Sequence, residues 1–361
     1  MESPLVDVTI AVHSATRPIA RAVASVVNGT AAPVRVNVVA HNIDPEIIRT
    51  NLGEYADHPD VRLLALHDGI PSPAGPMNLG MAEATAPFHT LLGSDDEFAP
   101  GAIDSWLALQ RRTGAQVVIG RIRLVTGGPD PYPPVRRGRR TTGLSADRDR
   151  LHYRSAPLGL IDRSRFGDLR FAQGLASGED LSYSAALWIT AESIAYDLYG
   201  PPYVGHDDAD DRVTSAPRSV AADFEFLRTV EDAEWFAHTS SADRRALAVK
   251  LIRIHFFDAV AARLDSPGIA SVSEELLRML DRVCGWAPGV LSVLSQADRR
   301  VIDELRTGSP DPERTRALLG RRWLYFSLGA QLTRNPFLAL HRQAPLRTLF
   351  AGARSQRVGQ L

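Results

Sequence analysis

Apolar positions follow two different rhythms along this chain. In the first half, short runs rich in Val, Ile and Leu alternate with segments whose apolar residues recur at helical spacing. "LVDVTIAV" (5–12) reads as a buried strand, and "RPIARAVASVVNG" (17–29) as a helix closed by Asn-Gly. "VRVNVVAHN" (34–42) and "VRLLAL" (61–66) are two further strands, with a proline-opened helix, "PEIIRTNL", between them. A helix in "GPMNLGMAEA" (75–84) precedes a fourth strand, "FHTLLG" (88–93), which runs into the acidic stretch Asp95-Asp96-Glu97. After a helix over 100–111, "AQVVIGRIRLV" (115–125) predicts one more strand, "APLGLIDRSRF" (156–166) a strand and turn, and "GEDLSYSAALWITA" (178–191) a helix with acids in its first turn. Strands alternating with helices predict a doubly wound, mostly parallel α/β sheet.

From about residue 225 the strand rhythm stops. Residues 242–264, 271–284, 296–306 and 311–332 all carry helical periodicity, separated by Pro, Gly and Ser turns. The expected organisation is an α/β domain over 1–225 and an all-α domain over 226–361.

Composition changes this picture little, with 44% hydrophobic and 23% charged residues as in ordinary globular proteins. No apolar run approaches the roughly 18 residues of a membrane span, and "MESPLVDVTI" lacks the basic-then-apolar pattern of a signal peptide. A cytoplasmic location is expected. Cys284 is the only cysteine, which excludes an internal disulfide and a cysteine-rich zinc site.

Charge is more informative. Residues 314–361 hold nine arginines and no acid, so the net charge of −1 leaves about −10 on residues 1–313. Lys250 is the only lysine and has no glycine-rich approach, which excludes a Walker-type phosphate loop. "HSATRP" stands where a dinucleotide-binding fold needs G-x-G-x-x-G, and no H-E-x-x-H or strand-to-helix G-x-S-x-G occurs. Nucleic acid is a poor partner for an acidic body without a recognition motif.

An acidic stretch after a strand has two readings, a capped turn or a cation site at the carboxyl end of a parallel sheet. Four segments together favour the second. "VTIAVHSATRPIARAVASV", the Asn78 helix "GPMNLGMAEA", "GSDDEF" and the Glu179-Asp180 pair of "SGEDLSYSAALW" resemble, in order and spacing, the family 2 glycosyltransferases of GT-A fold. The resemblance covers residues 5–225. It implies transfer of a sugar from a nucleotide-diphosphate donor, with UDP as the implied nucleotide and Mn²⁺ or Mg²⁺ as cofactor. Hard oxygen ligands suit such ions, which neutralise charge on a departing diphosphate.

Carried over residue by residue, the resemblance makes Asp95 the metal ligand, with His206 of "YVGHDDADDRVT" as a further one. Asp180 becomes the base on the acceptor hydroxyl, and Glu179 orients acceptor or metal water. Ser94 and Asp96 support the donor site, Asn78 is the family's helix asparagine, and His13 and Asn42 stand at the strand ends that meet the base. Arg212 and Thr214 fall on the family's closing segment. The sequence departs from the family at Gly93, where the first Asp of Asp-x-Asp is expected, and at Met77, where Arg precedes the helix Asn; His41-Asn42-Ile43-Asp44 stands where an Asp ends strand two. The Gly93 and Met77 departures keep open a non-catalytic glycan-binding scaffold.

A looser similarity, carried by the Glu-Asp helix, "HDDADDRVT" and an appended helical domain, is to bacterial enzymes that glycosylate cell-envelope polymers such as teichoic acids. It implies a glycan or polyol-phosphate acceptor. "RRGRR" (136–140), in a Pro/Gly-rich loop, and the arginine-rich tail suit an anionic polymer. The tail equally suits an anionic membrane surface, at which the protein would sit peripherally, or a second copy of the chain.

Overall fold

The computed structural model describes residues 3–126, 140–206 and 218–356. Arg212, Thr214 and residues 136–139 of the basic loop lie outside them. The first half of the chain supplies β1 (Val6–Val12), α1 (Ile19–Val27), β2 (Val34–His41), α2 (Pro45–Leu52), β3 (Val61–Leu66), α3 (Ala74–Ala82) and β4 (Phe88–Leu91). These match the expected elements to within a few residues. Both faces of β1 and β2 are buried: Val6, Val8, Ile10 and Val12 line one face of β1 with Asp7 and Thr9 buried on the other, and Val38, Val39 and Ala40 are buried in succession along β2. Asp44 caps α2 by accepting from the Glu46 N–H at 3.0 Å, with Pro45 at the first helical position.

Next come β5 (Glu97–Phe98), α4 (Ala102–Thr113), β6 (Val117–Ile119), β7 (Ile122–Leu124), α5 (Ala146–Asp149), β8 (Gly159–Asp162), α6 (Arg163–Phe166), α7 (Glu179–Thr190), β9 (Ile194–Tyr196) and β10 (Tyr203–Gly205). The main sheet has the order β3-β2-β1-β4-β8-β6-β9. β1 pairs in parallel with both β2 and β4, Val6 lying opposite Val34 on one side and Phe88 on the other. The direction in which the sheet grows therefore reverses between β1 and β4. That reversal opens a crevice at the carboxyl ends of these two strands. β8 runs antiparallel to β4 and β6, the one reversed strand of this sheet among the described residues.

The single strand expected over 115–125 is two strands in two sheets. A Cβ on Gly120 would lie 2.7 Å from the buried Trp106 ring, so the backbone presses on the indole there. Beyond it the chain joins a small sheet of order β5-β10-β7.

The helical region holds α8 (Val220–Asp223), α9 (Phe226–Glu231), α10 (Glu234–Ala237), α11 (Ser241–Leu251), a π turn over Ile252–Phe256, α12 (Phe257–Ala261), α13 (Ile269–Cys284), α14 (Gln296–Leu305), α15 (Pro312–Arg322), α16 (Leu328–Gln331) and α17 (Pro345–Gln356). The helix expected over 311–332 stops at Arg322, whose guanidinium bonds Asp298 at 2.8 Å and lies over the Phe257 ring. α7 belongs to two cores. Leu181 and Ala185 pack with Phe226, Phe256 and Leu276 of the helical region, whereas Tyr183, Leu187 and Trp188 pack with Leu91 and Ile161 of the sheet. Among the described residues no helix is long and apolar enough to cross a membrane.

Candidate active site

The acidic stretch turns out of β4 into the crevice beside the end of β1. There Arg17 donates to the Asp95 carboxylate and Arg21 to the Asp95 backbone carbonyl. Both partners of the Arg17–Asp95 pair are largely shielded, at 8% and 16% exposure. Neither arginine was singled out in the sequence, since helix periodicity marks a residue's face and not its partner.

Asp96 points elsewhere. Its carboxylate accepts from the Tyr203 hydroxyl and, at 2.8 Å, from the His206 N–H. Burial pushes its carboxyl up, against the lowering effect of these two donors. It ties the β4 turn to β10 and so supports the site as structure, leaving its oxygens spent within the protein. The same packing accounts for Gly93: a Cβ there would stand 2.5 Å from an Asp96 carboxylate oxygen and 3.1 Å from the Tyr203 hydroxyl. The space that a first-position Asp would need is filled by the Asp96 carboxylate. Ser94 is buried between them.

His206, held by Asp96, brings its ring Nε2 to 3.2 Å from Glu97 Oε1. Among the described residues no three His, Cys, Asp or Glu side chains gather into a ready-made metal cage. The donors at hand are the Asp95 carboxylate and the His206 imidazole on adjoining segments. One carboxylate and one imidazole fit Mn²⁺ or Mg²⁺, ions that commonly keep several positions for water and substrate phosphate.

The second acidic pair opens α7. Gly178 caps it in the left-handed conformation, φ +77°, with Glu179 and Asp180 in the first turn. Burial pushes the Glu179 carboxyl up, and the neighbouring Asp180 charge adds to it. Asp180 is also pushed up by burial, while the Lys250 charge pulls it back. A Cβ on Gly178 would lie 2.8 Å from the Phe226 ring. Gly178→Ala therefore adds left-handed strain to a clash, and should cost about 2 kcal/mol or more of stability. Urea unfolding checks this; an unchanged midpoint would mean that the cap carries no strain.

α7 is bolted to the sheet through residues far apart in sequence. Tyr183 hydrogen-bonds buried His89 of β4 at 3.0 Å and stacks on Phe171, ring centroids 4.4 Å apart. Phe171 is in turn held by Asn78, whose Nδ2 donates to its carbonyl at 2.9 Å and whose Oδ1 accepts from its N–H at 2.8 Å. Both polar ends of buried Asn78 are thus consumed, so the expected donor contact is corrected to a brace beneath the Glu-Asp helix.

The strand-end residues divide. His13 is exposed at the mouth of the crevice after β1. Asn42 takes a left-handed conformation, φ 55°, and binds the loop after β3, donating to Asp68 Oδ1 at 3.2 Å and accepting from Gly69 N–H at 2.9 Å. His41 also reaches Asp68 Oδ1, at 2.9 Å. The Ile70 N–H, with His41 and Asn42, holds the Asp68 carboxyl down to about 2. Asp44 is spent as a helix cap, so the carboxylate at the end of strand two comes from Asp68, a residue that nothing along the chain pairs with it.

Residues 7–170 match the family described as glycosyl transferase family 2. Over those residues the chain is similar to a family 2 glycosyltransferase domain. The likeness in fold extends into the helical region. The structure is similar to S. aureus TarS 1–349 in complex with UDP-GlcNAc, with a TM-score of 0.71, 15% identity, and coverage of 89% of this chain and 93% of that one. TarS 1–349 in complex with UDP gives a TM-score of 0.66 at 16% identity with the same coverage. The longer TarS structure gives 0.63 at 17% identity, covering 87% of this chain and 55% of that one. A comparison with curated proteins finds no match. The structure has a GT-A-like fold, a mostly parallel sheet followed by helices, and the family match over residues 7–170 supports glycosyltransferase activity.

Proposed function

We propose that the chain is a metal-dependent, inverting glycosyltransferase that moves a sugar from a UDP-linked donor to a hydroxyl of a cell-envelope glycan or polyol-phosphate polymer. The observation that carries this reading is Asp95 standing at the strand-order reversal between β1 and β4, on the sheet to which the Glu179-Asp180 helix is braced. UDP is favoured because the similar TarS structures hold UDP-GlcNAc and UDP. The ion that Asp95 and His206 would hold supplies neutralising charge for the leaving diphosphate.

Asp180 does the proton work. Its carboxylate takes the proton of the acceptor hydroxyl as the new C–O bond forms at the anomeric carbon and the bond to the diphosphate breaks. A single displacement inverts the configuration, with no glycosyl-enzyme intermediate. The upward push from burial brings the carboxyl towards the working pH, where a general base is most effective. Glu179 lies alongside to orient the acceptor. The arginine-rich tail supports an anionic acceptor and is where an anionic membrane or a second copy would be met; Phe326 and Phe337 there are 96% and 93% exposed.

Calorimetric titration with UDP-GlcNAc and a panel of UDP- and GDP-sugars, in Mn²⁺ and then in EDTA, tests the donor half. Binding of a UDP-sugar that EDTA abolishes is the expected result. A folded protein that binds none of them overturns it.

A further inference from the structure

From the end of α15 to α17 the usual sense of burial is inverted. Of the twelve large apolar side chains that stand exposed among the described residues, eight lie between Trp323 and Phe350. Phe326 and Phe337 are almost wholly in water, and Leu328 is 75% exposed. The buried positions of the same stretch are small or polar: Ala330, Gln331, Thr333, Ala339, Gln343 and Ala344. A segment that folds only to cover a core places its residues the other way round. Single exposed apolar residues are ordinary, but a cluster of them marks a surface that something covers.

Polar bonds fasten this segment with its apolar side chains outward. Ser295 pairs with Thr333 in an isolated antiparallel bridge, and the Gln296 N–H donates to the Leu332 carbonyl at 2.8 Å. Gln331 Nε2 donates to the Tyr325 carbonyl and Thr333 Oγ1 to the Asn335 carbonyl, each at 2.6 Å. At the far end Arg342 Nη1 donates to the Asp147 carboxylate at 3.0 Å, and Gln343 Nε2 to the Asp147 carbonyl at 2.8 Å. α16 packs on α14, α15 and α17, so the exposed side chains around it are neighbours in space. The rings of Trp323 and Tyr325 meet edge to face, centroids 6.0 Å apart.

Positive charge accompanies the apolar side chains. Residues 314–361 carry nine arginines and no acid. Arg347 donates to the Leu340 carbonyl at 3.1 Å, a neutral acceptor, so its charge stays beside the exposed Leu340 side chain. Arg321, two residues before Trp323, lines a cavity of about 460 Å³ between α14 and α15, together with Arg300, Thr307 and Arg314. The two acids of that cavity are answered, Asp303 by Arg334 and Glu304 by Arg314, the latter at 2.9 Å. Among the described residues neither Arg300 nor Arg321 has a carboxylate partner.

We propose that the face formed by the end of α15, α16 and the turn Pro336–Leu338 docks on an anionic lipid surface. The aromatic and leucine side chains enter the acyl boundary, while Arg321, Arg300 and Arg347 meet headgroup phosphates. A soluble polyanion would engage the arginines but leave Phe326, Leu328 and Phe337 in water. A second copy meeting the same face across a two-fold axis would set arginine against arginine. An anionic bilayer answers the charge and the apolar area together. No helix among the described residues is long and apolar enough to span it, so the contact is peripheral. The bonds from Arg342 and Gln343 to Asp147 of α5 tie the docking face to the α/β half of the chain.

Cosedimentation of the full chain with vesicles tests this, using phosphatidylcholine alone and phosphatidylcholine with phosphatidylglycerol. The expected result is partition onto the phosphatidylglycerol vesicles that weakens as salt is raised, with little onto the neutral ones. Phe326→Ser with Phe337→Ser should weaken partition by on the order of tenfold or more. Arg321→Gln with Arg347→Gln should weaken it by about 10- to 30-fold. All four side chains are exposed, so thermal unfolding should stay put and separate lost docking from lost folding. No partition onto either vesicle, equal partition onto both, or partition that the Phe pair leaves unchanged overturns the proposal. Loss confined to the arginine pair means a soluble polyanion site and overturns it too. Sedimentation equilibrium without lipid covers the last occupant: self-association that the Phe pair abolishes makes the face a contact between copies. Donor binding and turnover play no part in these readouts, so this proposal and the catalytic reading stand or fall separately.

Discussion

Asp180→Asn is expected to lower turnover by about 10³-fold while leaving UDP-sugar binding within a few-fold of the parent protein. The amide matches the carboxylate in shape but cannot take the acceptor proton. Its neighbours stay in place: α7 is held by the Tyr183–His89 bond, the Tyr183–Phe171 stack and the two Asn78–Phe171 bonds, none of which involves Asp180. The substitution removes a charge that favours the Lys250 ammonium, whose amine already sits low, at about 8, and can shed its proton instead of remaining charged in the interior. The loss should therefore fall on chemistry and not on folding. Steady-state transfer beside donor calorimetry separates the two, and turnover within tenfold of the parent would remove Asp180 from the base role.

The second large effect is expected at Asp95, where replacement by Ala should weaken Mn²⁺-dependent donor binding by about 10²- to 10³-fold. In the proposed reading this residue, paired with Arg17, is the carboxylate that meets the cation, because Asp96 is committed to Tyr203 and His206. The substitution also strips the countercharge from Arg17, whose side chain is 8% exposed. Thermal unfolding should register a loss of about 1–3 kcal/mol from breaking this shielded ion pair. Mn²⁺-dependent donor binding that survives unchanged would refute the assignment.

Both effects depend on elements that are legible in the chain. The strands β1 to β4 announce themselves as short apolar runs between turn signals, β3 being only partly buried at the sheet edge, and α2 because Asp44 and Pro45 are what a helix start needs. β8 was legible as a strand but not as a reversed one, since the apolar pattern is the same in either direction. Gly120 shows the opposite difficulty: an apolar run that looks continuous is divided by contact with Trp106, a residue from another helix.

Site residues separate along the same line. Local sequence places Asp95 after a strand and Glu179-Asp180 at a helix start, because backbone geometry at such ends favours acids. It also shows how unusual a single lysine is. What each side chain does was decided by partners 78 to 107 residues away: Arg17 for Asp95, Tyr203 for Asp96, Phe171 for Asn78. Periodicity reports which face of an element is buried; it carries no information about which distant group meets that face. The sequence by itself determined the layered α/β architecture, the helical region after it and the positions of the acids. Only the tertiary structure decided that Asp95 faces Arg17, that Asp96 is spent on Tyr203 and His206, and that Asn78 braces Phe171, since hydrogen-bond satisfaction and charge pairing are settled between elements and not along the chain.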